Sequence, residues 1–262
     1  MTSRDDARRL AEDAFVYTAR WPTQQWQERD EYFLLHGRNP HHLFGLALRL
    51  RLGEDVERLV DEVRAWFADR GRRQFSWVIG DSATPRDLRE RLLRRGAHPD
   101  AGEPVYAGMV LDEPPPKVEG FEVRPVMTFE EFAAARELSW AVIGGMSEEE
   151  REVARDGLGG AWEEYQQVDV VVFASFVDGR PVACGGVNFT QYGALLAGAG
   201  THPEYRGRGC YRALVRARWD AAVARGTPLL AAQAGKMSRP ILERLGFRQI
   251  ATVHSLVDDL NA

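Results

Sequence analysis

Apolar side chains recur along this chain at spacings that switch between the period of a strand and that of a helix. Leu10 to Tyr17 falls in a short helical stretch, and an aromatic, irregular run follows around Trp21-Pro22, Trp26 and Tyr32-Phe33. Leu46, Leu48, Leu50 and Leu52 alternate with Ala47, Arg49 and Arg51, which predicts a half-buried strand. Val56, Leu59, Val60, Val63, Trp66 and Phe67 then form the stripe of an amphipathic helix, with Glu54 and Asp55 near its positive end. Phe75 to Ile79 is a second strand. Thr84-Pro85-Arg86-Asp87 has the make-up of a helix start, with Thr84 as N-cap and Pro85 at the first helical position, and Gly96 marks the stop. Val105 to Leu111 closes the series as a strand.

A second series begins with a short strand from Phe121 to Val126. Thr128 caps a helix reaching Trp140, and Ser147-Glu-Glu-Glu150 opens another that runs to about Tyr165. Val170 to Val177, Pro181 to Phe189 and Gly193 to Thr201 are three successive strands, the first two joined by the hairpin pair Asp178-Gly179. A helix from Cys210 to about Ala224 follows, stopped by Gly226. A strand from Leu229 to Ala234, a short helix from Ser238 to Leu245 and a strand from Phe247 to Val257 complete the pattern. Between the two series stands Asp112-Glu-Pro-Pro-Pro-Lys117, whose prolines hold extended geometry and donate no hydrogen bonds. The expected organisation is an N-terminal α/β domain over residues 1–116 and a second domain over 117–262.

Composition narrows the function classes. The 262 residues are 44% hydrophobic and 28% charged, enough to bury a core and too apolar for disorder. The 34 basic and 39 acidic residues give a net charge of −5, which argues against duplex nucleic acid or an anionic membrane as partner. With two cysteines, Cys184 and Cys210, there is neither a disulfide framework nor a metal-ligand spacing, and no metal is expected. His41-His42 lacks a third ligand at suitable spacing and reads as surface or packing. The longest uncharged stretch, from Pro181 to Pro203, is interrupted by polar groups between Asn188 and Gly193 and does not read as a membrane span. Charges from Arg4 to Arg9 stand where a signal peptide needs an apolar run, so a cytoplasmic location is expected.

The candidate chemistry gathers between Thr201 and Leu214. Pro203 ends a strand there, and a loop containing Arg206, Gly207, Arg208 and Gly209 leads directly into a helix. Glycines at these points let successive N–H groups converge on the helix N-terminus, where the dipole and two arginines favour an anion. This is the make-up of a diphosphate cradle. It is not the dinucleotide fingerprint, because Arg212 occupies the third glycine position, and it lacks the Gly-Lys-Ser/Thr ending of a Walker loop.

This segment resembles the acyl-CoA-binding motif of the GCN5-related N-acetyltransferase superfamily, Gln/Arg-x-x-Gly-x-Gly/Ala, with Arg206 and Gly209 at its first and fourth positions. Leu242-Glu-Arg-Leu-Gly-Phe247 resembles the late helix-to-strand signature of that superfamily, and the order of elements from Phe121 to about Val257 matches it. The resemblance implies an α/β (α+β) fold: a mixed, mostly antiparallel sheet flanked by helices, preceded by a smaller α/β domain whose cadence is similar to a degenerate copy. It implies acetyl-CoA as co-substrate, with pantetheine paired to exposed strand groups of Ala199 and Thr201 and the pyrophosphate held from Arg206 through Gly207, Arg208, Gly209 and Cys210 to Tyr211. It further implies transfer of an acetyl group to a small-molecule primary amine, and a homodimer is admitted among the partners. A CoA-binding regulatory module without catalysis is the alternative.

Three positions depart from the family pattern. Tyr211 stands where glycine or alanine is usual, Leu242 where a tyrosine general acid often stands, and the strand ending at Thr201 has no glutamate. His202, Tyr211 and Tyr192 are then candidates for proton transfer. Trp140, Met146, Trp162 and Tyr165 flank the helices where the family forms its acceptor pocket. Cys184 reads as a small core residue. Cys210, at a helix N-terminus beside arginines, is in a setting that favours thiolate.

Overall fold

The computed structural model describes residues 3–143 and 148–260. Ser147 and Met146, expected as a helix cap and a pocket residue, lie outside the described residues. The chain opens with α1 (Arg4–Glu12) and α2 (Ala14–Tyr17), then β1 (Gln25–Glu28), β2 (Phe33–His36), β3 (Gly45–Leu48), α3 (Val56–Ala68), β4 (Gln74–Gly80), α4 (Leu88–Arg94), β5 (His98–Pro99) and β6 (Val105–Leu111). Beyond the prolines come β7 (Glu122–Pro125), α5 (Phe129–Ile143), α6 (Glu148–Asp156), α7 (Leu158–Tyr165), β8 (Val170–Val177), β9 (Arg180–Phe189), β10 (Ala194–Thr201), α8 (Cys210–Ala224), β11 (Leu230–Ala234), α9 (Arg239–Arg244) and β12 (Arg248–Asp259).

All strands join one sheet in the order β1-β2-β3-β4-β12-β6-β11-β10-β9-β8-β7, with β5 paired to β12 off this path. The centre of that order is an exchange. The final strand, β12, lies antiparallel between β4 and β6, which both precede the prolines. In return β6 lies antiparallel between β12 and β11. Either side of this centre the same unit recurs: a parallel strand pair joined by a helix, β3-α3-β4 in one half and β10-α8-β11 in the other. A crossover between parallel strands needs a connection of a dozen residues or more, here a helix in both halves.

Helices cover both faces. The side chains of α3 and α4 meet Trp77, Phe75 and Leu256 on one face, and those of α8 and α9 meet Met109, Leu230 and Ala232 on the same face further along. The opposite face carries α1 against Val110, Leu195 and Ala231, α2 against Leu46 and Val253, and α5 with α7 against Ala174 and Phe176. No helix among the described residues is long and apolar enough to cross a membrane.

Local expectations fail at three places, each for a visible reason. The four alternating leucines do not share a face: Leu46 and Leu48 pack with α2, whereas Leu50 and Leu52 pack with α3. The switch comes at Arg49, whose φ is +49°, and the strand ends one residue earlier. Thr84 does not cap α4, which begins at Leu88. Its backbone is committed instead, its N–H donating to Leu50 O (3.1 Å) and its carbonyl accepting from Leu52 N (2.9 Å). The helix expected up to Tyr165 is two helices, parted at Gly157. Elsewhere Asp178 and Gly179 take φ of +49° and +75°, the tight hairpin that their sequence signals.

Candidate active site

The wedge between β10 and β11 is where the sheet opens. The two strands pair in parallel through Ala194 with Leu230 and Leu195 with Ala231, and no further. β10 then bends away: its register with β9 breaks between Ala197 and Gly200, and Gly198 takes φ +47°. β11 stays straight because β6 holds it on its other side from Leu230 to Ala234. Ala199 lies in this bulge, outside the β9 ladder, and Thr201 rejoins it opposite Ala183. A bulge of this kind re-aims backbone groups at a site. The fit beneath it is tight, since a Cβ on Gly200 would come within 3.1 Å of the Val142 side chain on α5.

At the top of the wedge stands the loop that leads into α8. Gly207 and Gly209 have φ of +74° and +104°, a region that L side chains rarely adopt. Gly209 is the N-cap of α8, without a side-chain cap, and the first helical bond runs from Ala213 N–H to Gly209 O at 3.0 Å. The amides of Cys210, Tyr211 and Arg212 therefore precede the helical ladder and remain available to an anion. Arg206 bends back, its Nε donating to Thr201 O at 3.2 Å, and the Arg208 guanidinium lies 5.3 Å from the Tyr205 ring centroid. Arg206 through Tyr211 are thus gathered around one helix end, beside the strand end at Thr201.

Behind the cradle lies a group that the motif did not announce. Arg218, two turns into α8, is fully buried, its Nε donating to Leu214 O (3.1 Å) and its Nη1 to Gly186 O (3.3 Å). Its Nη2 has no hydrogen-bond partner among the described residues, and burial lowers the proton affinity of its guanidinium. The Tyr211 ring covers it at 5.8 Å. Gly185 makes room for it, because a Cβ there would lie 2.7 Å from Arg218 Nη1 and 3.1 Å from the Ala199 Cβ. The bulky residue at the sixth motif position therefore caps a buried cation that sits against the bulge. The spacing Tyr211 to Arg218, seven residues on one helix face, was the available signal.

The other candidates separate. Tyr192 lies at the β9–β10 hairpin, with its ring 5.0 Å from that of Tyr17, at the opposite end of β10 from the cradle. His202 stays near the loop, with its backbone N–H donating to Val182 O at 2.9 Å and its buried Nδ1 without a partner among the described residues. Leu242 is core. Trp140, Trp162 and Tyr165 pack together with Phe132 between α5, α7 and the sheet, and the Tyr165 hydroxyl accepts from Val172 N–H at 3.1 Å. Burial pushes the Cys210 thiol up, against the thiolate that its position suggests, and Sγ donates towards Tyr205 O at 3.7 Å. Cys184 is likewise core, its thiol pushed up to about 11 by burial. His42 Nδ1 is 2.8 Å from Ser76 Oγ, which accounts for its half-buried place in the first half.

The first half has the corresponding strand parting, and it is closed. β3 and β4 pair through Leu46 with Ser76 and Ala47 with Trp77, then β3 turns at Arg49. Leu50 to Leu52 fill the space by bonding to Thr84, and the Arg49 amide donates to Asp13 Oδ1 at 3.2 Å.

No family model matches the sequence, and no curated protein is similar to it. Solved structures are. A GCN5-related N-acetyltransferase from Kribbella flavida superposes with a TM-score of 0.67 at 16% identity, covering 98% of this chain and 95% of that one. A tandem GNAT protein from the clavulanic acid biosynthesis pathway gives 0.65 at 14% identity, again over 98% and 95%. A GCN5-related N-acetyltransferase from Sphaerobacter thermophilus gives 0.59 at 16%, over 89% and 82%. The chain therefore has the GCN5-related N-acetyltransferase fold across both halves.

Proposed function

We propose that this chain is an N-acetyltransferase that moves the acetyl group of acetyl-CoA directly to the primary amine of a small molecule within a ternary complex. The observation that carries this reading is the wedge with its cradle: a parallel strand pair that parts at a bulge, beneath a helix N-terminus whose glycines, free amides and arginines suit a diphosphate. The first-turn amides of α8, with Arg206 and Arg208, would hold the diphosphate. The freed edge of β10 around Ala199 and Thr201 would pair with the pantetheine amides. A backbone amide at the bulge would polarise the thioester carbonyl, and fixing both reactants in one wedge lowers the entropic part of the barrier.

The second reading, a CoA-binding module without turnover, is favoured by one observation: Leu242 places an apolar core residue where a general acid often stands. Free-thiol release from acetyl-CoA, followed across a panel of small amines, separates the two. Release with at least one amine supports the transferase; binding without release supports the module. A Gly209→Trp variant that binds acetyl-CoA as tightly as the unsubstituted chain overturns the cradle itself.

A further inference from the structure

The strand exchange carries a carboxylate from the first half to the mouth of the wedge. Glu103 lies in the turn before β6, and its Oε2 accepts from Lys236 N–H at 2.8 Å, just past the end of β11. It rests against Gly235, where a Cβ would lie 2.7 Å from the Glu103 Cδ and 3.0 Å from its Cγ. Counting up both strands from their last pair, Leu195 with Ala231, four residues lead to Ala199 on one side and to Gly235 on the other. Glu103 reaches this point from β6, on the edge of β11 away from β10, and so stands at the β11 end of the wedge, at about the height of the bulge. Its face is also defined. Gln233, two residues before Gly235, donates to Ala11 O and Glu12 O of α1, so this is the face opposite α8. A thioester held along the wedge would have α8 on one face, leaving the face that Glu103 occupies for the amine.

We propose that Glu103 is the catalytic base that accepts the amine proton, resting on the acetyl-transfer reading above. In the step, the amine nitrogen bonds to the thioester carbon and passes a proton to the Glu103 carboxylate. The C–S bond breaks, its electron pair leaves with sulfur, and the Glu103 carboxyl returns the proton to that thiolate. The products are the acetamide and CoA thiol, with Glu103 ionised as before. The carboxylate also selects the acceptor: it draws a cationic ammonium, which releases one proton to solvent before the neutral amine attacks. This supplies the base that β10 lacks, and it gives the first half a share in the chemistry.

The test uses the full-length chain. Glu103→Gln keeps an oxygen to accept from Lys236 N–H but takes no proton. It should bind acetyl-CoA and melt as the unsubstituted chain does, while kcat falls about 100-fold, the lower range for general-base catalysis. Gly235→Ala, which displaces the flexible end of Glu103 without altering it, should also lower kcat. Equal turnover by the unsubstituted chain and Glu103→Gln overturns the role of Glu103 and leaves acetyl transfer standing. No thiol release by the unsubstituted chain with any amine, despite acetyl-CoA binding, overturns both.

Discussion

Gly198 and Arg49 each follow a two-residue parallel ladder, three and two residues past its last pair, with φ of +47° and +49°. The glycine leaves its bulge open, whereas the arginine amide is plugged by Asp13, which is 4% exposed. Burial raises the Asp13 carboxyl to about 6, and the nearby Arg51 guanidinium only partly offsets this. The sign follows from the raised value. Between about pH 4 and 6 the folded chain holds a proton that the unfolded chain has released, so stability falls as pH rises through this window, by about 3 kcal/mol at most. Asp13→Asn should accordingly melt higher than the unsubstituted chain at pH 7 and lose that advantage near pH 4; melts at the two pH values decide it. At the cradle, Gly209→Ala meets both a φ of +104° and a Val118 Cγ1 at 3.2 Å. It should cost about 1–3 kcal/mol of stability, readable by denaturant titration. It should also weaken acetyl-CoA about tenfold, equivalent to 1.4 kcal/mol and measurable by calorimetry.

Among the elements, β12 is the one on which both halves depend. Its Asp258, 1% exposed, accepts from Trp77 Nε1 on β4 at 2.7 Å and from Arg64 Nε on α3 at 3.0 Å. Asp258→Ala leaves a buried indole N–H and a half-buried guanidinium without their acceptor, and should cost about 3–5 kcal/mol in a denaturant titration. Strongly periodic elements were legible in the sequence: α8 spans Cys210–Ala224 as its pattern predicts, and α3 follows its apolar stripe. The exposed edge strand β1 was not, since Gln25–Glu28 buries neither face and shows no alternation. The loop at the head of α8, offered as a cradle, was visible in the sequence because its glycines and arginines fall within six residues of one another. Glu103 was not, because it meets Lys236 from 133 positions away and only strand pairing brings them together.

The whole molecule is built so that neither half owns its central strands. β6 contributes Met109 and Leu111 to the core under α8 and α9, although it precedes the prolines. β12 contributes Leu256 to the core under α3, although it ends the second half. Residues 1–116 alone would leave β4 and β6 without the strand that lies between them, exposing apolar side chains and unpaired ladder groups on both. Residues 117–262 alone would leave β11 without β6 and β12 without either neighbour. Cooperative unfolding of the full chain should therefore be a single transition, coincident whether followed by far-ultraviolet circular dichroism or by tryptophan fluorescence. Each fragment expressed separately should show no cooperative melt, and mixing the two should restore one, together with acetyl-CoA binding. A residue 1–116 fragment that melts cooperatively by itself would mean that β12 is dispensable to the first half, and that the exchange at the sheet centre does not bind the halves into one folding unit.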